Sequence, residues 1–381
     1  MNKFTITAKT LFGLEEVLAK ELEAIGASDI EPLNRAVQYT GDQALLYKSN
    51  LCLRTALRIL KPIATFEVHN EEQLYSMVRE IDWSQYLTNN KTFAVNGTAN
   101  SDRFTHSKYI ALKTKDAIVD QFRDRTGIRP NVDTEDPDLW LDVHIYGRTC
   151  TISLNSSGMT MAKRGYGANR TMAPINEALA AGIVLMTDWD KEMDFIDPMC
   201  GSGTFAIEAA MIAANIPPGR YRHFTFEKWN DFDRLLWKNI KQEAEEAITE
   251  VKAKIFANDE EEDVVNIAKQ NAERAGVGDL VKFSVADFFE TGGGKDQGLI
   301  VMNPPYGERL DQEDILDFYE EIGTHLKHYY EGYTAWIISG NLPAIKNVGL
   351  KTSRKIPLLN GMIKCKLHKF ELYKGSKKVE E

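Results

Sequence analysis

Cysteine is scarce in this sequence of 381 residues, and no two cysteines have the spacing of a metal site or a redox motif. The four cysteines are Cys52, Cys150, Cys200 and Cys365. His325 and His328 lie three residues apart on a predicted helix, but no third ligand is near them, so a solvated helix face explains them better. We therefore expect reduced, structural cysteines and no bound metal.

Long apolar runs are also missing. No stretch approaches the roughly 18 apolar residues that a membrane-spanning helix needs. The first residues lead directly into a predicted strand instead of a signal peptide. We expect a cytoplasmic protein without membrane contact and treat it as a monomer.

The composition is typical of a globular protein with two or three domains. Hydrophobic residues make up 43% and charged residues 27% of a chain that is too long for one core. The net charge of −10 disfavours nucleic acid as a partner if only the sum is considered. However, residues 351–370 contain six Lys or Arg and no acid. Such a basic patch on an acidic chain can still attract a polyanion.

The first part of the chain predicts two α+β regions. Residues 1–62 have the order βαββαβ, which indicates a ferredoxin-like domain. Residues 63–156 predict helix, strand, long helix and two strands, with basic residues along the long helix. Through this order, and through the segments 93–95 and 107–109, the region resembles a THUMP domain, an RNA-binding module. The alternative is a generic α/β interaction domain.

The second part predicts an α/β fold. Residues 157–190 form a connecting loop and a helix, and strands then alternate with helices over residues 191–381. This alternation is typical of a Rossmann-like, doubly wound and mostly parallel sheet, which binds ligands at the carboxyl ends of its strands. Two late strands are close enough in sequence for an antiparallel hairpin. The sequence assigns no role to an insertion at residues 217–252.

A glycine-rich turn, Asp197-Pro198-Met199-Cys200-Gly201-Ser202-Gly203-Thr204, follows the first strand of this sheet. Its two glycines and the following helix allow close approach of a ligand, and NAD is one alternative. A dinucleotide site would place an acid roughly 20 residues further on, whereas here Asp197, Asp259 and Asp287 end three successive predicted strands. Carboxylates suit a cationic amino acid, ribose hydroxyls and an adenine amine. This combination favours S-adenosylmethionine, with S-adenosylhomocysteine as product.

A second stretch, Asn303-Pro304-Pro305-Tyr306, follows the apolar run 299–302. Two prolines cannot continue a strand, so the chain must turn and expose an amide, a carbonyl and an aromatic ring. These groups can hold a planar amine. Alone, the stretch could be an ordinary strand end, but the upstream glycine turn favours an active site.

With both motifs, the segment from Lys163 onward resembles a class I S-adenosylmethionine-dependent methyltransferase. It is similar to the THUMP-bearing guanine-N2 methyltransferases of large-subunit ribosomal RNA, the RlmL/YpsC type. The resemblance implies that Asp259 holds the ribose and Asp287 the adenine amine. It also implies that the cofactor-binding motif consists of Asp197, Cys200, Gly201, Gly203 and Thr204. The wall on the cofactor side would be formed by Arg164, Tyr166, Pro174 and Glu177. After Asp259 the sequence departs from the family pattern, because Glu260-Glu261-Glu262-Asp263 follows.

The resulting prediction is methylation of a guanine N2 in 23S ribosomal RNA. Asn303 and Pro304 would accept the N–H groups of a flipped base, Pro305 would shape the turn, and Tyr306 would stack on the base. The alternatives are guanine-N2 methylation of tRNA, methylation of adenine N6 or cytosine N4, and a non-catalytic RNA-binding protein. The predicted RNA-binding residues are Arg103, Lys108, Lys113, Lys115, Arg123, Lys163, Arg170, Lys351, Arg354 and Lys355.

Overall fold

The computed structural model describes residues 2–167, 175–294, 297–307 and 312–373. The chain divides into two compact units, each built from separate segments. The first unit contains Met1–Thr10, Leu18–Met161 and Tyr221–Glu243, and the second contains Leu11–Val17, Ala162–Arg220 and Ala244–Glu381. The chain therefore passes from one unit to the other five times.

The elements that precede residue 156 belong to the first unit, apart from the start of the first helix. The strands are β1 Phe4–Thr10, β2 Ser28–Leu33, β3 Ala36–Gly41, β4 Ala56–Glu67, β5 Thr92–Asn100, β6 Asn131–Val132, β7 Leu139–Tyr146 and β8 Thr149–Asn155. The helices are α1 Glu15–Ala24, α2 Gln43–Cys52, α3 Glu71–Glu80 and α4 Ser107–Thr126.

The later elements build the second unit, except for most of α7. The helices are α5 Glu177–Met186, α6 Thr204–Ala213, α7 Arg234–Glu246, α8 Glu262–Arg274, α9 Gln312–Tyr329 and α10 Ala344–Asn347. The strands are β9 Asp194–Asp197, β10 Ile255–Asp259, β11 Val281–Val285, β12 Gly298–Met302, β13 Thr334–Ser339, β14 Thr352–Asn360 and β15 Ile363–Glu371.

One eight-stranded sheet, in the order β2-β3-β1-β4-β8-β7-β5-β6, runs through the first unit. Its strands β2-β3-β1-β4 with α1 and α2 form the predicted ferredoxin-like arrangement. The long strand β4 pairs with β1 through Ala56–Leu60 and with β8 through Leu60–Glu67. The boundary predicted after residue 62 thus falls inside β4, which carries the sheet from one region into the next. The short strand β6 was not predicted.

The insertion supplies part of the core of the first unit. Phe226 is fully buried and stacks on Tyr47, with ring centroids 4.3 Å apart. Trp237 meets Phe226 edge-on at 5.1 Å. The Asp233 backbone N–H donates to the Tyr47 hydroxyl at 3.0 Å. Tyr221–Glu243 lie between β9 and β10 in the chain and inside the predicted methyltransferase range 191–381, but they pack with the first unit.

Phe226→Ala is expected to lower the free energy of unfolding of the first unit by about 3–5 kcal/mol, because it removes a buried ring from this aromatic cluster. Urea titration followed by circular dichroism measures the change. Leu235→Ala is the matched control, since this side chain of the same insertion is 68% exposed. The control should change stability by less than about 0.5 kcal/mol. A near-neutral Phe226→Ala would contradict a structural role for the insertion.

The sheet of the second unit has the order β11-β10-β9-β12-β13-β15-β14. Neighbours from β11 to β13 are parallel, whereas β15 is antiparallel to both β13 and β14. This confirms the doubly wound sheet with a late antiparallel hairpin. Strand β9 comes first in the chain and lies in the middle of the five parallel strands, with β10 on one side and β12 on the other. The strand order reverses between β9 and β12, and ligands bind at the carboxyl ends of strands at such a point.

His325 corrects one expectation about the helices. It is only 5% exposed, and its Nε2 lies 2.7 Å from the Thr291 carbonyl oxygen. The ring packs edge-on against Phe288, and burial lowers the pKa of His325. The prediction of a solvated face was wrong for His325, because this histidine lies on the apolar side of α9, whereas His328 is exposed as predicted. No helix within the described ranges has the length and apolarity needed to cross a membrane.

Candidate active site

The glycine-rich turn connects β9 to α6 in a tight backbone path. Gly201 and Gly203 have φ values of +53° and +81°, which other residues rarely adopt. A Cβ on Gly203 would lie 3.0 Å from the Ala268 Cβ of α8, so the two elements also meet closely. The Gly203 N–H donates to the Cys200 carbonyl at 2.8 Å, and α6 begins at Thr204. The turn thus directs the first N–H groups of α6 toward the carboxyl edge of the sheet.

Asp197 ends β9 and is almost completely buried, at 1% exposure. Neither carboxylate oxygen accepts a hydrogen bond of good geometry from the described residues, although the Ala206 backbone N–H lies nearby. Burial raises the pKa of Asp197 well above its usual range, the Asp259 carboxylate raises it further, and the backbone at Ala206 lowers it. A buried acceptor without a donor is costly, so this side chain is suited to bind a cationic or N–H-bearing group of a ligand.

Asp259 ends β10, next to β9. Its Oδ2 accepts the Gly201 N–H at 3.0 Å, and its Oδ1 accepts the Glu261 N–H at 3.3 Å. Each carboxylate oxygen can accept a second hydrogen bond, so Asp259 can hold the turn and still bind hydroxyls. The acids that depart from the family pattern are exposed, and Glu262 and Asp263 lie in the first turn of α8. Negative charge is favourable there because of the helix dipole.

Asp287 follows β11 and is partly exposed. Its Oδ1 accepts the Phe289 N–H at 2.9 Å and caps a short 3-10 helix, Phe288–Glu290. Asn258, which the sequence reasoning missed, connects the turns on both sides of β10. Its Nδ2 donates to the Pro198 carbonyl at 3.0 Å and to the Ala286 carbonyl at 3.4 Å. The carboxyl ends of β9, β10 and β11 are thereby held together.

The predicted cofactor-side wall is a buried polar cluster. Arg164 Nε lies 3.3 Å from Glu208 Oε1, and the Tyr166 hydroxyl donates to the same oxygen at 2.9 Å. Burial, followed by the charges of Glu208 and Glu177, raises the pKa of Tyr166 well above its usual range. Glu208 was missed, although a single acid in the apolar helix α6 is a signal that could have indicated it. Pro174, also predicted here, and Arg170, predicted to bind RNA, lie outside the described residues.

The second motif begins directly after β12. The Tyr306 hydroxyl donates to Asn303 Oδ1 at 2.7 Å. Pro304 is buried and Pro305 is exposed. Burial raises the pKa of Tyr306, and so does the nearby Cys365 thiol. The hydroxyl therefore stays protonated and donates to the amide oxygen that was predicted to accept the substrate amine.

Two residues that the sequence reasoning missed support this loop. Asn341 Nδ2 donates to the Tyr306 carbonyl at 3.0 Å, and the Tyr319 hydroxyl donates to the Pro305 carbonyl at 3.2 Å. The Tyr306 ring packs over Gly340, where an added Cβ would lie 2.9 Å from Tyr306 Cδ2. Stacking of Tyr306 on a base stays a prediction, since the ring lies against its own sheet in this structure.

The predicted RNA-binding residues of α4 are partly neutralised. Lys115 pairs with Asp116, Arg123 with Asp120, and Lys113 Nζ lies 5.3 Å from the centre of the Tyr75 ring. The other predicted residues within the described ranges, all exposed, are Arg103, Lys108, Lys163, Lys351, Arg354 and Lys355. The last three lie in or beside β14 of the second unit.

Comparisons with known proteins identify the family of three parts of the chain. Residues 164–369 match the model of the RMKL-like methyltransferase domain, residues 68–155 the THUMP domain, and residues 5–60 the RlmL ferredoxin-like domain. The candidate RNA methyltransferase slr0064 of Synechocystis is 38% identical over 98% of this chain and 99% of its own length. The ribosomal RNA large subunit methyltransferase K/L of Photobacterium profundum is 36% identical over 100% of this chain, which spans only 54% of that protein.

A solved structure is similar over nearly its whole length. The candidate methyltransferase SMU.472, in complex with SAH, is 31% identical, with a TM-score of 0.88 over 99% of this chain and 100% of that one. The fold and the site together define a class I S-adenosylmethionine-dependent methyltransferase. More specifically, the chain belongs to the THUMP-containing, RlmL-like methyltransferase family.

The residues around the glycine turn fit S-adenosylmethionine. The unpaired carboxylate of Asp197 matches a cationic amino group, and Asp259 and Asp287 retain acceptor capacity for hydroxyl and amine donors. In the part of the chain that the structure describes, no cluster of three His, Cys, Asp or Glu side chains is arranged to hold a metal ion.

Proposed function

We propose that this enzyme methylates the N2 amine of a guanine in 23S ribosomal RNA. The observation that carries the proposal is the position of Asn303, which follows β12 at the switch point, one strand away from the cofactor turn. The name of the Photobacterium relative supports large-subunit ribosomal RNA as the substrate. We also propose that the enzyme works in the cytoplasm.

The chain's own groups orient the amine. Asn303 Oδ1 and the Pro304 carbonyl would each accept one N–H, which directs the nitrogen lone pair away from the protein acceptors. Because the amide oxygen has two lone pairs, it can accept the Tyr306 hydroxyl and the substrate amine together. The Tyr306 hydrogen bond then fixes the orientation of the Asn303 amide before the base arrives. No strong base is required, since the nitrogen becomes acidic as it gains a methyl group.

Three carboxylates would hold the cofactor. Asp197 would bind the amino group, Asp259 the ribose hydroxyls and Asp287 the adenine amine. S-adenosylmethionine supplies the methyl group when bound. The cluster of Arg164, Tyr166 and Glu208 would support the same region from α6, because Glu208 lies on the helix that the glycine turn begins.

Mass spectrometry of modified nucleosides tests the proposal. Ribosomal and transfer RNA would be isolated from cells that lack the gene and from cells that regain it. We expect N2-methylguanosine in 23S ribosomal RNA to disappear with the gene and to return with it. Loss of N2-methylguanosine from tRNA, or of an N6-methyladenosine or N4-methylcytidine, would contradict the proposed substrate and favour the corresponding alternative.

A further inference from the structure

The hairpin of β14 and β15 projects beyond the carboxyl edge of the second unit's sheet. Pairing of β15 with β13 ends at Ser339 opposite Lys366, whereas β14 and β15 pair further, to Asn360 opposite Ile363. With about 3.4 Å per residue, the hairpin extends about 10 Å past the end of β13. Because β12 and β13 are parallel, the loop that begins at Asn303 leaves the sheet at this same edge.

The tip of this hairpin is apolar. Gly361, with a φ of +60°, and Met362 form the turn, and the Met362 side chain is 97% exposed. Ile363 beside it is 43% exposed. Asn, Gly, Asp and Ser suit a tight turn, and an exposed methionine there adds nothing to the core. The fold itself therefore gives no reason for an apolar side chain at residue 362.

The tip of the hairpin lies beside the loop formed by Asn303–Tyr306. Ile363 Cγ2 and Tyr306 Cδ2 lie 2.7 Å and 2.9 Å from the position that a Cβ on Gly340 would take, so both side chains cover the same glycine. Cys365 Sγ lies 3.7 Å from the Tyr306 hydroxyl oxygen. The inner face of the hairpin and the Asn303–Tyr306 loop thus form one surface of the second unit.

The charge of the hairpin matches a polyanion. Four exposed cations lie along the hairpin, and none of them forms an ion pair with another described residue. Lys364 and Lys366 lie near the tip, whereas Arg354 and Lys355 lie toward the opposite end of β14. Residues 351–370 contain no acid to neutralise them. RNA combines a phosphate backbone with the apolar faces of its stacked bases. Apolar side chains, methionine among them, can insert between two stacked bases of a nucleic acid and separate them.

We propose that Met362 is a wedge that inserts into the RNA base stack next to the target nucleotide. It would fill the space that the target base leaves when it rotates into the Asn303 site, and the cations along the hairpin would bind the RNA backbone. Met362 is thus a positioning residue that favours the extruded state of the base. This inference rests on the proposed function only in requiring a base that leaves its stack.

The test compares Met362→Ala with the parent enzyme on two RNA hairpins that carry whichever nucleotide the mass spectrometry identifies. In one hairpin the target base is paired, and in the other it lies opposite an abasic position. We expect Met362→Ala to lower kcat/KM at least about 10-fold on the paired hairpin and less than about twofold on the unpaired one, where no base pair has to open and extrusion of the base costs less. Met362→Leu should restore most of the activity. Met159→Ala, at a methionine that is 52% exposed in the first unit, is the control.

A second measurement is independent of methylation. The fluorescence of a 2-aminopurine placed beside the target nucleotide should increase when the parent enzyme binds, because the wedge removes the stacking between the two bases. The increase should be much smaller with Met362→Ala. Equal losses of activity on both hairpins, or unchanged 2-aminopurine fluorescence, would overturn the wedge. A different methylated base in the mass spectrometry would overturn the guanine assignment alone, since the hairpins would then carry that base.

Discussion

Asn303→Ala is expected to lower the rate of methyl transfer at least about 100-fold, as removal of a single transition-state hydrogen-bonding group does in other enzymes. Binding of S-adenosylmethionine should stay within about twofold of the parent value, because Asn303 follows β12 and does not belong to the cofactor turn. Asn303 is expected to act by positioning the substrate amine. Without the amide oxygen, one N–H of the substrate amine loses its acceptor, and the lone pair is no longer oriented.

Two measurements separate these effects. Single-turnover transfer of a labelled methyl group to RNA reports the chemical step, and isothermal titration with S-adenosylhomocysteine reports cofactor binding. Asn266→Ala, at an exposed asparagine of α8, is the matched control and should behave as the parent does. Tyr306→Phe tests the hydrogen bond to Asn303 and should reduce the rate less than Asn303→Ala, since the acceptor remains. If Asn303→Ala retained most of its activity, the amide would have no catalytic role.

Asp197→Asn should have the largest effect on cofactor binding. Removing one partner of a buried charge pair costs about 2–5 kcal/mol, which corresponds to a dissociation constant at least about 30-fold higher. The parent carboxylate is buried without a hydrogen bond of good geometry in the described structure, so its interaction with a cationic ligand group should be strong. Isothermal titration of S-adenosylhomocysteine measures the loss. Asp317→Asn, at an exposed position of α9, is the control.

The same substitution has a pH signature in the ligand-free protein. Since the folded-state pKa of Asp197 is raised, the folded state retains this proton longer than the unfolded state does. The contribution of Asp197 to stability is therefore neutral below about pH 4, where both states are protonated, and becomes increasingly unfavourable as the pH rises toward the folded-state pKa. The stability of Asp197→Asn relative to the parent should accordingly increase between pH 4 and pH 7 in thermal unfolding. A pH-independent difference would show that Asp197 has an ordinary pKa.

Much of the candidate site could be predicted because most of its side chains follow an apolar run. Asp197 ends β9, Asp259 ends β10, and Asn303 directly follows β12. The carboxyl ends of neighbouring parallel strands lie at one edge of the sheet. The confirmed order of strands and helices followed from the same alternation. These are local signals, and they need no information about which distant residues meet.

The supporting contacts could not be predicted, because they join residues that are far apart in the chain. Glu208 meets Arg164 across 44 positions, and Asn341 meets Tyr306 across 35. His325 has a backbone partner 34 positions away, and periodicity alone cannot show which side of its helix is covered. The insertion shows this most clearly, because the sequence of Tyr221–Glu243 does not indicate that its aromatic residues pack with the first unit.

That insertion also sets an order of events during synthesis. A chain that emerges from the ribosome amino end first normally completes its first compact unit before the next one appears. Here β1 to β8 emerge early, but Phe226 and Trp237 follow only after β9 and α6 have been made. Until then Tyr47 lacks the ring that covers it. Part of the core of the first unit therefore stays exposed during synthesis until Tyr221–Glu243, which lie between segments of the second unit, have been made. For the same reason, cleavage of the chain at one position cannot separate either unit in complete form.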